Sequence, residues 1–200
     1  MATRIAICNE ALASIGELPL QTEAADNAAP VLLLYDRAVR QITGSGSFSF
    51  TRVLRRLARD TASPEGPWTY RFQLPAEQLE GPQAIFDSET ATTPFLRWEL
   101  RDNGVYADVE ELWARVRIQP SPAIWPPLFR EAVTTLLSSH LALSMKDDKD
   151  LAQLLYRVAM GDPAIPGDMG LCGKARVMDT QAQPSKRLMQ GTSPLIAARR

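Results

Sequence analysis

PLFREAVTTLLSSHLA, residues 127–142, is the stretch on which the fold turns. Leu128, Phe129, Ala132, Val133, Leu136, Leu137 and Leu141 recur at spacings of three and four, the period of one helix face. Pro126 and Pro127 suit a helix start, because a first-turn residue has no intrahelical partner for its N–H. No other stretch of the chain has a helical pattern as long or as apolar. It predicts the central helix of a bundle.

Working outward, residues 3–15 read as a helix with Ile5, Cys8, Leu12 and Ile15 on one face, stopped by Gly16 and Pro19. Residues 27–42 read as a second helix, with Asn27 as cap, Pro30 in the first turn and Val31, Leu34, Tyr35, Ala38 and Ile42 on its apolar face. GSGS at 44–47 ends it and reads as a flexible joint. Residues 49–59 predict a short third helix, with Arg52, Arg55, Arg56 and Arg59 along one narrow face and Val53, Leu54 and Leu57 opposite. Downstream of the central helix, Asp147 or Asp148 caps a helix whose Leu151, Leu154, Leu155 and Val158 are expected to point inward. Gly and Pro then interrupt the chain from 161 to 170, and a last helix covers 171–182.

Between these helices the period changes to two. Trp68, Tyr70, Phe72 and Leu74 alternate with Thr69, Arg71 and Gln73, the pattern of a half-buried strand. Residues 83–86 and 95–101 predict two more strands. Asn103-Gly104 is expected to supply the two positive φ angles of a tight hairpin turn, with 105–107 returning beside 95–101. From 112 to 118, Leu112, Ala114, Val116 and Ile118 alternate with Trp113, Arg115 and Arg117, which are expected on an outer face.

The predicted fold class is thus mainly α with a small β part. Residues 1–62 and 120–183 form a helical bundle, 63–119 an inserted antiparallel β lobe, and 184–200 an extended C-terminal arm.

Composition narrows the function. Among 200 residues, 45% are hydrophobic and 22% charged, ordinary for a globular chain. A formal charge of −1 gives no global attraction to nucleic acid. The charge is unevenly placed, however: after Gly173 come Lys174, Arg176, Lys186, Arg187, Arg199 and Arg200 against Asp179 alone. Two cysteines far apart, Cys8 and Cys172, read as thiols in a reducing compartment rather than a disulfide. No apolar run reaches the length of a membrane span. MATRIAICNEA at 1–11 carries polar and acidic residues too early for a signal peptide, so the product is expected to stay in the cytoplasm unless it leaves inside a particle.

Reactive groups are sparse. His140 sits on the central helix and reads as a packed residue rather than a base. One histidine and two distant cysteines offer no close-spaced metal ligands. GSGS lacks the lysine and preceding strand of a phosphate loop. Glu110-Glu111, on adjacent strand positions, would point to opposite faces, and Asp147-Asp148 reads as a helix cap. The chain is therefore expected to be no enzyme and to hold no cofactor and no metal.

Interaction residues are the better candidates. Four arginines on one short face repel each other by a few tenths of a kcal/mol per like pair. A solvated face, a phosphate-facing surface, or ion pairs with a neighbouring subunit would each accommodate Arg52, Arg55, Arg56 and Arg59. Trp113, Arg115 and Arg117 have the Trp-plus-Arg composition of interfaces. In the arm, Ser193-Pro194-Leu195-Ile196 and Arg199-Arg200 put apolar anchors among small and charged residues with no core of their own, which suits docking in a partner's groove.

The order of these segments resembles the phage head-to-tail adaptor (connector) family, including tail tubular protein A-like proteins and the adaptors of gene transfer agents. Asn9, Leu12 and Gly16 match an Asn-x-x-Leu-x-x-x-Gly helix. Tyr35 to Arg40 matches a Tyr-Asp-x-x-Arg-like segment. Phe48-Ser49-Phe50 and Arg55-Arg56-Leu57 match an aromatic and Arg/Leu-rich stretch. Trp68 to Pro75 matches a Tyr-x-x-Pro strand, Pro127 to Ala132 a Pro-x-x-x-x-Ala core helix, and the match reaches Lys174 to Asp179. The chain departs in having Phe48 or Phe50 where the family often has Trp, and in the broken 161–170 region. The resemblance implies a ring, typically of twelve copies, under the portal protein. The ring would lie above a tail or stopper protein, around genomic DNA that passes without sequence-specific binding. It implies a C-terminal arm on the portal, no membrane, and a place in the neck of a virion or phage-like particle assembled in host cytoplasm. The alternative reading is a nucleic-acid-binding protein of the single-strand DNA-binding type, using the arginine stripe and the basic tail.

Overall fold

The computed structural model describes residues 3–25, 27–61, 64 and 66–182. Among the described residues, five α-helices and seven strands follow one another as α1 (Arg4–Ser14), α2 (Ala28–Gly44), β1 (Arg52–Arg56), β2 (Ala58–Arg59), β3 (Tyr70–Gln73), β4 (Ala84–Phe86), β5 (Trp98–Arg101), β6 (Gly104–Ala107), β7 (Trp113–Arg117), α3 (Pro127–Lys146), α4 (Lys149–Met160) and α5 (Gly170–Gln181). The fold is mainly α with a smaller antiparallel β part inserted between α2 and α3. The arm at 184–200 lies outside the described residues.

α3 is the central helix, packed against α1, α2, α4 and α5. Phe129, Ala132, Val133, Leu136, Leu137, Leu141 and Ala142 are all fully buried, so the helix that touches the other four carries the middle of the core. Two buried serines let the neighbours approach closely. Ser138 donates to the Thr134 carbonyl at 2.9 Å and accepts from Ser14 on α1 at 2.7 Å, while Ser139 donates to the Ala152 carbonyl on α4 at 2.7 Å. Near its N-terminus, Phe129 meets Phe48, Phe50 and Trp125 edge-on at 4.9, 4.9 and 5.1 Å, and Trp125 stacks on Tyr35 of α2. α3 stops where Asp147 takes a left-handed φ of 50° and the Asp148 N–H turns back to the Ala142 carbonyl at 3.2 Å. The Asp148 carboxylate then accepts from Leu151 N at 2.9 Å, starting α4 antiparallel to α3.

The lobe is two small sheets, β1-β7-β4 and β2-β3-β6-β5. They enclose a second core of Leu57, Phe72, Ile85, Val105, Leu112, Ala114 and Val116. Only Leu57 separates β1 from β2, so the chain changes sheet at one buried residue.

Four expectations are corrected. Residues 49–59 are not a helix: a 3₁₀ turn at Ser49–Thr51 leads into β1 and β2. Val53 and Leu57 share a face at strand period as readily as at helical period. Pairing with β7 half-buries Val53 opposite Val116, and Leu57, whose N–H donates to the Leu112 carbonyl, is buried in the lobe's core, where an isolated short helix would gain little. The lobe therefore begins at 52, ahead of the expected boundary at 63. The hairpin's positive φ angles fall on Asp102 and Asn103, one residue early, because Gly104 already pairs with Arg101. On α4, Leu154 and Val158 do not point inward: they are 60% and 46% exposed. Ala152 and Ala159 take the buried positions instead.

Replacing Leu136 by Asp would bury an unpaired carboxylate at the centre of the bundle, costing several kcal/mol. Loss of the cooperative thermal transition, read by far-UV circular dichroism, is the expected result; a parent-like melting curve would remove α3 from the core.

Candidate interaction surface

β1, β7 and β4 place alternate side chains on an outer face. Arg52, Leu54 and Arg56 lie opposite Arg117, Arg115 and Trp113, with Ala84 and Phe86 across from Arg115 and Trp113. The two ends of this face differ in kind.

At one end the helical bundle covers it, and Arg117 is 5% exposed. Its guanidinium donates to the Thr43 carbonyl, to the Gly46 carbonyl at 2.8 Å, to Thr51 Oγ1 at 3.3 Å and to both carboxylate oxygens of Glu80 at 3.1 Å. Thr43 and Gly46 lie at the C-terminal end of α2, where unpaired carbonyls gather partial negative charge. A planar, permanently charged fork suits such converging acceptors. The expectation that Arg117 faces outward is thus corrected: strand alternation places it on the outer face, but the bundle sits over that part of the face.

The same region corrects the reading of 44–47 as a flexible joint. Ser45 N donates to the Gln41 carbonyl at 3.1 Å and Ser45 Oγ to the Ile42 carbonyl at 2.7 Å. Arg176 of α5 donates to the Ser45 carbonyl at 3.3 Å, and Arg52 donates to Ser47 Oγ at 2.9 Å. Asp179 of α5 accepts from Ser49 N at 2.8 Å. α5 and the lobe both grip the end of α2.

At the other end the face is open. Arg56 is exposed and pairs with Glu111 at 2.5 Å; Arg115 is exposed and lies over the Phe86 ring at 4.9 Å; Trp113 is half-buried beside them and Leu54 exposed. The expected stripe of four arginines is dispersed by the strands. Arg55 turns to the opposite side of β1, 3.7 Å from Glu77, and Arg59 moves to the second sheet over the Tyr70 ring at 4.9 Å. The structure keeps Arg56, Trp113 and Arg115 together and separates the rest. Ser193, Pro194, Leu195, Ile196, Arg199 and Arg200 lie outside the described residues.

A second feature was missed in the sequence. Ser139, His140, Leu143, Ala152, Tyr156 and Pro163 line a groove of about 410 Å³ between α3 and α4. Burial and the charge of Arg37 hold the His140 imidazole below its ordinary pKa. Its folded value lies under its unfolded one, so protonation favours unfolding and stability falls as pH drops below about 6.5. Nothing in the pattern of α3 distinguishes a histidine facing a groove from one inside the core. Cys8 and Cys172 are free and buried, and burial pushes the Cys8 thiol up to about 11. Among the described residues no three His, Cys, Asp or Glu side chains gather as a metal site, and no helix is long and apolar enough to cross a membrane.

Arg117→Met would leave buried carbonyls unpaired. It should cost about 2–4 kcal/mol in urea unfolding, with most of the loss from the carbonyl bonds because Glu80 is half-exposed. Arg117→Lys should recover less than half, since an ammonium cannot reach the same acceptors. Joint Arg56→Glu and Arg115→Glu should change stability by less than about 1 kcal/mol. Equal losses in the two experiments would erase the distinction between clamp and open surface. In comparisons with known proteins, no family model matches the chain and no curated relative is found.

Proposed function

We propose that this chain is a non-enzymatic head-to-tail adaptor, the subunit of a ring that joins a portal protein to a tail or stopper protein and leaves a channel for DNA. The proposal places it in the neck of a virion or phage-like particle assembled in host cytoplasm. One observation carries the reading most. Nine of the sixteen large apolar side chains exposed among the described residues lie between Leu143 and Met178. They sit on the end of α3, on α4, on the loop 161–169 and on α5, elements that pack on one another. A monomer at rest in water gains nothing from such a concentration; a subunit that meets protein neighbours does. The α-β-α order, with the lobe clamped to the bundle, supports the same reading through the family resemblance.

The single-strand DNA-binding reading loses support. It leaned on a stripe of arginines that the fold disperses, with Arg117 inside and Arg55 and Arg56 facing carboxylates.

Purified chain should co-sediment with rings of the particle's portal protein, and a variant lacking 192–200 should not, while both melt alike. Affinity for single-stranded DNA should be weak at any salt. Equal co-sedimentation of the truncated chain would remove the docking arm. Tight DNA binding that falls steeply with salt, with no portal binding, would replace the adaptor reading by the alternative.

A further inference from the structure

β5 ends the sheet β2-β3-β6-β5 and has no strand on its other side among the described residues. The two-residue turn Asp102-Asn103 makes Arg101 and Gly104 a hydrogen-bonded pair, and Glu99 and Tyr106 the next one. The backbone N–H and C=O groups of Trp98 and Leu100 therefore point away from β6. No hydrogen bond among the described residues takes them up. An edge of this kind is a template for another strand.

The apolar side of the sheet breaks off at the same edge. Phe72, Val105 and Leu100 form one row across β3, β6 and β5, and Tyr70, Ala107 and Trp98 form the next. Directly opposed side chains share a face, so Leu100 points to the same side as Phe72 and Val105. Those two are fully buried in the lobe's core, yet Leu100 is 48% exposed. Trp98 is half-buried against that core. Two residues further back, Leu96 is 87% exposed. Extending the strand to it puts its side chain on the same side again.

A second β5 continues both rows. Antiparallel pairing about Trp98 sets Trp98 opposite its own counterpart and Leu96 opposite Leu100. The first row then runs Phe72, Val105, Leu100 and Leu96 of the second copy. The other registers fail. Opposing Trp98 to Leu100 sets Glu99 against Glu99 and Arg97 against Arg101, and opposing Trp98 to Leu96 sets Arg97 against itself, all like charges. Opposing Leu100 to itself brings Trp98 against Asp102, whose φ of 50° ends the strand. In the register that remains, Arg97 faces Glu99. Arg97 already pairs with Asp108 at 3.2 Å and Glu99 accepts from Trp68 Nε1 at 2.7 Å. The charges therefore choose the register by avoiding repulsion, while backbone bonds and apolar rows supply the affinity. The remaining strand edges lack such a row. β1 carries Arg52, Arg55 and Arg56, β2 has two residues, and on β4 the Ile85 carbonyl is taken by Phe95 N at 2.8 Å.

We propose that two copies of this chain pair through β5, as an antiparallel, two-fold extension of the lobe's sheet. A contact of this symmetry closes on itself and builds no ring. It goes beyond the adaptor reading and does not depend on it.

The purified full chain, without portal protein, should show a concentration-dependent monomer–dimer equilibrium in sedimentation velocity. Leu96→Lys should weaken it at least roughly tenfold, because a cation replaces leucine in two symmetric pairs. Its circular dichroism melt should match the parent's, since Leu96 is exposed. The Trp98 and Leu100 amides should exchange hydrogen more slowly in the parent than in Leu96→Lys. Leu96→Cys and Leu100→Cys together should cross-link as a dimer on mild oxidation, because opposed Cα atoms lie about 5.5 Å apart, within disulfide reach. Neither single variant should cross-link, and Cys8 and Cys172 are buried. A parent that stays monomeric, or a Leu96→Lys variant that dimerises like the parent, overturns the contact. Cross-linking of Leu100→Cys alone overturns the stated register. Portal co-sedimentation tests the adaptor reading separately, so the failure of one is distinct from the failure of the other.

Discussion

The Arg117 guanidinium holds two separately cored bodies as one. The bundle is organised around α3 and the lobe around Phe72, Ile85 and Val116, and each has its own apolar cluster. What fixes them together is a buried cation donating to Thr43, Gly46, Thr51 and Glu80 from a strand that belongs to the lobe. Burying a charge is costly unless nearly every donor finds an acceptor. The end of α2 supplies carbonyls that would otherwise lack partners. Arg176 of α5 bonds the Ser45 carbonyl and Asp179 accepts from Ser49 N, so α2, α5 and the inserted lobe meet at one place.

How much of this could be read in the sequence follows from the range of the forces involved. The long helices were legible because their apolar faces repeat over many turns and their ends carry local signals, Pro127 at one end of α3 and Asp148 at the start of α4. The mainly α fold with an inserted antiparallel β part was legible for the same reason. The segment 49–59 was not. Five residues of strand and a short amphipathic helix share one pattern, and the choice is made by β7, some sixty positions away. Arg117 was misplaced for a related cause: alternation gives its face correctly, but which end of the face is covered is a tertiary fact. Leu154 and Val158 read as core because α4 is amphipathic, yet only its Ala152 and Ala159 side meets the bundle.

These misplacements bear on function. Removing Arg117, Arg55 and Arg59 from a common surface weakens any case for a phosphate-binding stripe and leaves a compact Arg56–Trp113–Arg115 patch of protein-interface composition. Apolar side chains that α4 withholds from the core enlarge the exposed greasy surface on the C-terminal helices. A lobe clamped to its bundle, with apolar side chains exposed on the C-terminal helices, would suit a subunit whose work is mechanical continuity between larger assemblies. That is the adaptor proposal in physical terms.

The most direct measurement is electron microscopy of this chain mixed with its portal protein. The account predicts a closed ring of identical subunits seated coaxially on the portal, with an open central channel. Portal rings that remain bare while the added chain stays dispersed as single subunits would contradict it.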